Sequence, residues 1–179
     1  MSKYLLMLIG LARSGKSTFA NNLRIFPIVN LDAIRKAIHG LPYLENSELL
    51  IKTFSKYMID SLFINHNIVI LDSTNLTFEK REFYQSDKYH IIYFPFITSK
   101  HICKKRTKNK RLRKVIDKQY KETNFTLTTS NNFRKSFDML ISVVTLELYL
   151  RKKSEYQFYT DYLIGLYSLM YSVNKRLNF

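Results

Sequence analysis

The stretch GLARSGKST, residues 10–18, constrains the fold more than any other part of the chain, and it follows directly on the apolar run YLLMLI. Gly10, Gly15, Lys16 and Ser17 fit the pattern G-x-x-x-x-G-K-[ST], in which backbone N–H groups at a helix N-terminus face phosphate oxygens. The apolar run before the loop predicts a buried strand, and KSTFANNLRIF after it predicts a helix, as this pattern requires. The stretch therefore predicts a loop that binds a nucleoside triphosphate. The residues assigned to this ATP site are Gly10, Ala12, Arg13, Ser14, Gly15, Lys16, Ser17 and Thr18.

Strand-like and helix-like segments alternate from residue 4 to residue 95. YLLMLI, NIVILD and YHIIYFPF are typical of buried strands, and FPIVNLD adds a short strand at Ile28 and Val29. Such alternation favours an α/β fold with a parallel sheet flanked by helices, and we expect residues 1–179 to form a single domain. Because ligands bind at the carboxyl ends of such strands, the glycine loop, Asp32 and residues 72–75 are predicted to lie together.

A longer helix is predicted within NSELLIKTFSKYMIDSLFINH. Leu50, Phe54, Met58 and Leu62 recur at helical spacing, which predicts that they face the core. Asn46 is the expected N-cap of this helix.

Asp32 and Arg35 form the most specific pair outside the loop. Their spacing of three places them on one face of the predicted helix AIRKAIHG. A carboxylate can serve as a base toward an acceptor hydroxyl, and a guanidinium beside it can hold a phosphate. A helix cap and a surface arginine remain the alternative.

The formal charge of +15 is concentrated in one segment. Ten lysines and arginines lie between Lys100 and Lys118, and Asp117 is the single acidic residue among them. This distribution favours a polyanionic ligand, with a solvated basic face as the alternative. Two helical pieces are expected around a charged bend at residues 107–110.

Two more helices are predicted at about residues 132–176. The second is rich in Tyr, Leu and Met but falls short of the roughly 20 apolar residues that span a bilayer. We expect this second helix either to pack against the sheet or to form a surface for a homo-oligomer or another partner. Cys103 is the one cysteine, which excludes an internal disulfide and favours a cytoplasmic protein.

In order and spacing, GLARSGKST, NLDAIRKAI, DSTNLTFEKREFY and the basic segment resemble the kinase domain of phage-type 5′-OH polynucleotide kinases over about residues 1–120. The resemblance implies a P-loop kinase-like parallel sheet, with a basic lid at about residues 100–118 followed by the C-terminal helical pair. It implies that Asp32 is the general base for the 5′-OH and that Arg35 contacts an acceptor phosphate. The phosphate-loop pattern predicts that Lys16 contacts the β and γ phosphates and that the Ser17 hydroxyl ligates Mg²⁺.

Two motifs depart from the family pattern. Where the phage kinase has D-T-N, this chain has Asp72 one position earlier in DSTN, and the resemblance implies that Asp72 helps to hold Mg²⁺ while Thr74 and Asn75 bind substrate.

The lid arginines differ as well. The family has two arginines four residues apart, whereas Arg106 is followed at that spacing by Lys110, with Arg111 next. We assign catalysis to Lys16, Asp32, Arg106 and Arg111. Arg113 is the alternative to these lid arginines. Arg81 matches a recurring arginine of the family.

Three functions remain open from the sequence. The first is a 5′-hydroxyl polynucleotide kinase acting on DNA or RNA ends. The second is a P-loop kinase of a small acceptor, such as a nucleoside, a nucleotide or a zeta-toxin-like substrate. The third is a non-kinase ATP-dependent nucleic-acid-binding module. The basic segment favours the first, because a polynucleotide offers many phosphates, and a membrane is not an expected partner.

Overall fold

The structure is a computed structural model, and it describes residues 2–23, 25–41 and 43–123. The chain divides into two units, Met1–Phe125 and Thr126–Phe179, and the second falls outside the described residues. The predicted C-terminal helices and the single-domain organisation therefore stay predictions. None of the helices in the described part of the chain has the length and apolarity needed to cross a membrane.

Four strands and six helices follow one another along the described residues. They are β1 (Tyr4–Ile9), α1 (Lys16–Asn22), β2 (Ile28–Asn30), α2 (Leu31–His39), α3 (Glu48–Leu62), β3 (Ile68–Asp72), α4 (Phe78–Glu82), β4 (His90–Pro95), α5 (Lys100–Lys105) and α6 (Lys110–Glu122). A short 3₁₀ turn, Glu45–Ser47, precedes α3.

The strands form one parallel sheet in the order β2-β3-β1-β4. Leu5, Leu6, Met7 and Leu8 of β1 are fully buried, and all of β3 is buried. Strands covered on both faces need continuous apolar runs, which is why the sequence pattern identified them. The α/β parallel sheet is confirmed.

Helix α2 begins directly where β2 ends. Asn30, the last residue of β2, accepts a hydrogen bond from the backbone N–H of Ala33 and so caps the helix. Gly40 ends the helix in the left-handed conformation. Asp32 therefore lies in the first helical turn, at the carboxyl edge of the sheet.

The predicted core face of α3 is wrong. Leu50 and Phe54 are 54% and 44% exposed, whereas Ile51, Ser55 and Ile59 are fully buried. Ser55 tolerates burial because its hydroxyl hydrogen-bonds to the hydroxyl of another residue, Tyr84, at 2.8 Å, and to a backbone carbonyl of its own helix. Because the buried face of α3 contains the polar residue Ser55, it does not show in the sequence as apolar residues at helical spacing.

The predicted start of α3 is also wrong. Asn46 lies within the 3₁₀ turn, and Ser47 occupies the cap position without a side-chain hydrogen bond to the helix. Glu48 is the first helical residue. The helix expected after β3 is short, five residues in α4.

The basic segment forms two helices with a bend between them, as predicted. Helix α5 ends at Lys105 and α6 begins at Lys110. Asn109 caps α6 by accepting from the backbone N–H groups of Arg111 and Leu112. Both helices follow β4, at the opposite edge of the sheet from α2.

Candidate active site

The phosphate loop, residues 10–15, joins β1 to α1 in a shape that glycine makes possible. Gly10 has φ 155° and Gly15 has φ 109°, in a region that side-chain-bearing residues rarely adopt. A Cβ on Gly10 would lie 2.9 Å from both the Cβ of Phe96 and the Oγ of Ser14. Both glycines of the sequence pattern are therefore required by the backbone.

The Lys16 side chain lies inside this loop. Its Nζ donates hydrogen bonds to the carbonyl oxygens of Gly10 at 3.0 Å and Leu11 at 2.8 Å. Burial disfavours the ammonium and lowers the pKa of Lys16 from 10.5 to about 8, although the charges of Asp72 and Asp32 raise it in part. A buried cation of this kind fits the phosphates of a nucleoside triphosphate, which would supply the missing negative charge.

The loop is held from both neighbouring strands. The backbone N–H of Gly10 donates to the carbonyl of Thr74, which follows β3, at 3.0 Å. On the other side, the hydroxyl of Thr98 after β4 donates to the carbonyl of Ser14 at 2.8 Å. The structure therefore brings the glycine loop and the segment after β3 together, as predicted. Ser17 and Thr18 are exposed in the first turn of α1.

Asp72 lies buried at the end of β3 and pairs with β2. The amide Nδ2 of Asn30 donates to its Oδ2 at 2.7 Å, and the two residues are also register partners in the sheet. The same Asn30 caps α2, so one side chain ties the candidate metal ligand Asp72 to the helix that carries Asp32. Sequence reasoning missed Asn30, whose position at the end of the short second strand was its one signal.

Asn75 and Arg81 shape the segment after β3. Asn75 is buried with φ 45°, and its Nδ2 donates to the carbonyl of Leu8 at 2.8 Å. Arg81 is also buried and donates to the carbonyls of Asn75 and Leu76 at 3.1 and 3.0 Å. Burial lowers the pKa of the Arg81 guanidinium. Both side chains are engaged with backbone, and a substrate-binding role for Asn75 stays a prediction.

Asp32, Arg35 and Glu48 form a connected network on the β2 side. The Nη1 of Arg35 lies 2.5 Å from the Oδ1 of Asp32. Its Nε and Nη2 each lie 2.8 Å from one carboxylate oxygen of Glu48, a two-pronged arrangement. The Arg35 side chain is 13% exposed, whereas that of Asp32 is 86% exposed. An accessible carboxylate is thus oriented by a nearly buried arginine.

The charge state of Arg35 reflects this network. Burial acts to lower the pKa of the guanidinium, but the hydrogen bond and charge of Glu48, with those of Asp32, outweigh it and raise the pKa. Glu48 was missed by sequence reasoning, because it lies 13 residues further along the chain, on the next helix. Its place near the start of the predicted helix gave no hint of a partner.

On the β4 side, Arg106 reaches the phosphate loop. Its Nη1 donates to the carbonyl of Arg13 at 3.0 Å and would lie 3.8 Å from a Cβ on Gly15. The structure therefore brings the predicted lid residue Arg106 to the phosphate loop.

The other candidate lid residues are placed differently. Arg111 and Lys110 are exposed in the first turn of α6. Arg113 donates from Nε to the carbonyl of Thr107 at 2.9 Å, which stabilises the bend between the lid helices. Which second lid residue acts together with Arg106 on the transferring phosphate stays a prediction.

Helix α6 also contacts the loop through a residue that the sequence did not single out. The backbone N–H of Ala12 donates to Oε1 of Gln119 at 2.9 Å. A neutral amide at the far end of a basic helix carries no sequence signal for such a contact.

A parallel sheet, a phosphate loop after the inner strand β1 and a carboxylate, Asp72, at the end of the neighbouring strand β3 define a kinase-like P-loop domain. The chain belongs to the AAA domain family, whose model matches residues 5–140. Such P-loop domains generally bind ATP with Mg²⁺. A search of curated proteins found no significant match.

Solved structures share this fold. A chain of the Pnkp1/Rnl/Hen1 complex is 25% identical with a TM-score of 0.55, over 61% of this chain and 40% of that one. A chain of the Pnkp1/Rnl/Hen1 RNA repair complex is 22% identical with a TM-score of 0.60, over 70% of this chain and 45% of that one. This chain thus spans less than half the length of either.

A gluconokinase from Sinorhizobium meliloti 1021 is 14% identical with a TM-score of 0.54, over 85% of this chain and 98% of that one. At such identity the likeness shows the fold alone. Together with the family match, it confirms the P-loop kinase-like fold predicted from the sequence.

Proposed function

We propose that this protein is a 5′-hydroxyl polynucleotide kinase, which transfers the γ phosphate of ATP to the 5′-OH end of DNA or RNA. The observation that carries the proposal is the exposed Asp32 carboxylate, which the Arg35–Glu48 pair holds at the same carboxyl edge of the sheet as the phosphate loop. The ten lysines and arginines between Lys100 and Lys118 support the same substrate class, because a polynucleotide offers many phosphates.

The phosphate loop binds the donor in this proposal. Backbone N–H groups of the loop and the Lys16 ammonium contact the β and γ phosphates. Ser17 and Asp72 are the residues that would help to hold Mg²⁺, which neutralises charge on the phosphates when bound. In the described ranges no group of three or more His, Cys, Asp or Glu side chains could hold a metal ion, so Mg²⁺ at Ser17 and Asp72 would need phosphate and water oxygens as well.

Asp32 acts as the general base. It accepts the proton of the 5′-hydroxyl while that oxygen forms a bond to the γ phosphorus, and the bond from the γ phosphorus to the bridging oxygen of ADP breaks. ADP leaves with the bridging electron pair, and the proton is released to solvent afterwards. Because the Asp32 side chain is 86% exposed, its carboxylate is accessible to an acceptor hydroxyl.

Arg35 has capacity left for an acceptor phosphate. A guanidinium has five N–H groups, and the contacts to Asp32 and Glu48 use three of them. The remaining two can donate to the phosphate on the 3′ side of the first nucleotide. Arg35 in this proposal both orients Asp32 and binds the acceptor.

Arg106 covers the donor from the lid side. Its contact with the carbonyl of Arg13 places a guanidinium at the rim of the loop, where charge develops on the transferring phosphate. Arg111 is the second lid cation of the proposal. A lysine at position 110 lacks the planar fork of arginine, so the substitution in the family pattern favours Arg111 as the partner.

The experiment is transfer of labelled γ phosphate from ATP to a panel of acceptors. The panel contains 5′-OH DNA, 5′-OH RNA, a 3′-nucleotide and a free nucleoside, with a 5′-phosphorylated oligonucleotide as the matched control. The proposal predicts label on the 5′-OH oligonucleotides and none on the control. Label on the nucleoside alone would identify a small-molecule kinase. ATP hydrolysis without any labelled acceptor would identify a non-kinase ATPase.

A further inference from the structure

Four lysines line the solvent side of α6. Lys110, Lys114, Lys118 and Lys121 follow at intervals of four, four and three residues, so they form one stripe along the helix. All four are exposed, and the Lys118 side chain is 78% exposed. At a rise of 1.5 Å per residue the stripe is about 16 Å long. We refer to these four lysines as the α6 ridge.

The other side of α6 is fixed to the protein. Ile116 is fully buried, and Gln119 accepts the hydrogen bond from the backbone of Ala12 in the phosphate loop. Because α6 is tied to the loop in this way, the α6 ridge keeps a defined position relative to the candidate active site.

The neighbouring acids leave the α6 ridge positively charged. Asp117 is engaged by Lys104 at 2.8 Å and by Lys100 at 3.8 Å, both of them on α5. Glu122 approaches Lys118 at 3.7 Å, and exposed pairs at such distances contribute little. Most of the positive charge of the stripe is therefore available to a partner.

We propose that the α6 ridge binds the phosphate backbone of a single-stranded nucleic acid acceptor, from about the third nucleotide after its 5′ end onward. Lysines neutralise phosphates as point charges without reading bases. The rise between Lys110 and Lys114, about 6 Å, is comparable with the separation of successive phosphates in an extended strand. A membrane-surface helix needs an accessible apolar face opposite its cations, and in α6 the residue that lies there, Ile116, is fully buried.

The inference rests on the proposed function in one respect: the 5′ end of the nucleic acid strand is taken to lie at Asp32. Asp32 follows β2 and α6 follows β4, the two edge strands of the sheet. Three interstrand spacings of about 4.8 Å separate these edges by about 14 Å. With successive phosphates about 6 Å apart, a nucleic acid strand with its 5′ end at Asp32 crosses that distance only after about two to three nucleotides. The α6 ridge therefore acts on longer acceptors and leaves a mononucleotide unaffected.

The test compares two double variants with the same loss of charge. Lys114→Gln/Lys118→Gln removes half of the α6 ridge, and Lys3→Gln/Lys88→Gln removes two lysines that precede β1 and β4, at the opposite end of the sheet. Fluorescence anisotropy gives the Kd for 5′-OH oligonucleotides of increasing length at several salt concentrations. Phosphate transfer to a 3′-nucleotide and to the same oligonucleotides is measured on the same preparations.

The proposal predicts that the ridge variant binds long oligonucleotides about tenfold more weakly. Its plot of log K against log salt should be shallower by about 1.4, which corresponds to two lost phosphate contacts on a single strand. Its transfer to the 3′-nucleotide and its thermal stability should match those of wild type, and the control variant should match wild type throughout.

Wild-type affinity and salt dependence in the ridge variant would overturn the inference, whatever the kinase assay shows. Loss of binding to phosphatidylserine vesicles with unchanged oligonucleotide binding would also overturn it. If the wild type phosphorylates no oligonucleotide but the ridge variant still loses affinity for long strands, the proposed function fails and the α6 ridge stands.

Discussion

The two sides of the phosphate loop are built in different ways. On the β2 side, Asp32, Arg35 and Glu48 form a network. The guanidinium of Arg35 is nearly buried and is paired with both carboxylates. On the β4 side, Arg106 makes a single contact with the loop from an exposed position, and Arg111 beside it is also exposed. The comparison indicates a preorganised side and an open side. In the proposed function, the first positions the acceptor hydroxyl and the second supplies positive charge to the phosphates.

Lys16 lies between the two sides. Its removal tests whether both sides act on a phosphate that is bound in this loop. Lys16→Met should lower phosphate transfer by about 10³-fold, because a buried donor to the transferring phosphate is lost. Steady-state transfer and ATP binding by calorimetry are the measurements. Transfer close to that of wild type would mean that the two sides do not act through this loop.

The pH dependence of stability sharpens the placement of Lys16. Its pKa is lowered from 10.5 to about 8 in the folded protein, so the unfolded chain binds more protons between these values. The free energy of unfolding due to Lys16 should therefore rise with pH across this window, by up to about 3 kcal/mol, and be lost again as pH falls through 8.

The measurement is urea unfolding of wild type and Lys16→Met at a pH of about 7.5 and of about 10. The methionine variant removes the buried charge, so its advantage in stability over wild type should shrink as the pH rises. A difference between the two proteins that does not change with pH would show that the folded lysine is not desolvated.

The open side can be tested by separating its two arginines. Arg106→Lys should lower kcat about 30-fold, because the contact at the rim of the loop needs the fork of a guanidinium. Arg111→Lys should have a smaller effect. Single-turnover transfer distinguishes them, and the reverse order would place the lid clamp at Arg111 and break the assignment of Arg106.

The preorganised side should respond to the loss of Glu48. Glu48→Gln keeps the shape but removes the charge that holds Arg35, and we expect about a tenfold loss in kcat/KM for the acceptor with unchanged ATP binding. The matched control is Glu45→Gln, an exposed carboxylate in the preceding turn. Equal activity of the two variants would remove Glu48 from the positioning network.

The sequence predicted those features that depend on local pattern. Continuous apolar runs identified the three long strands, because strands buried on both faces require them. The glycines of the loop were identified because positive φ and close approach exclude other residues. The contact between Asp32 and Arg35 followed from helical spacing alone.

Contacts between distant segments could not be predicted in the same way. Glu48 meets Arg35 only because α2 and α3 pack together, and Asn30 meets Asp72 only because β2 and β3 are neighbours in the sheet. The buried face of α3 was mistaken because the hydroxyl of Tyr84 pairs with Ser55 from another segment. In each case the partner is set by tertiary packing, which the spacing of residues within one helix does not reveal.

The most direct test of the account is phosphate transfer to a 5′-OH oligonucleotide by Asp32→Asn. The account predicts a loss of at least about 100-fold in kcat, the scale of general-base catalysis, with ATP binding close to that of wild type. Wild-type transfer by this variant would contradict the central claim that the exposed carboxylate of Asp32 receives the proton of the acceptor hydroxyl.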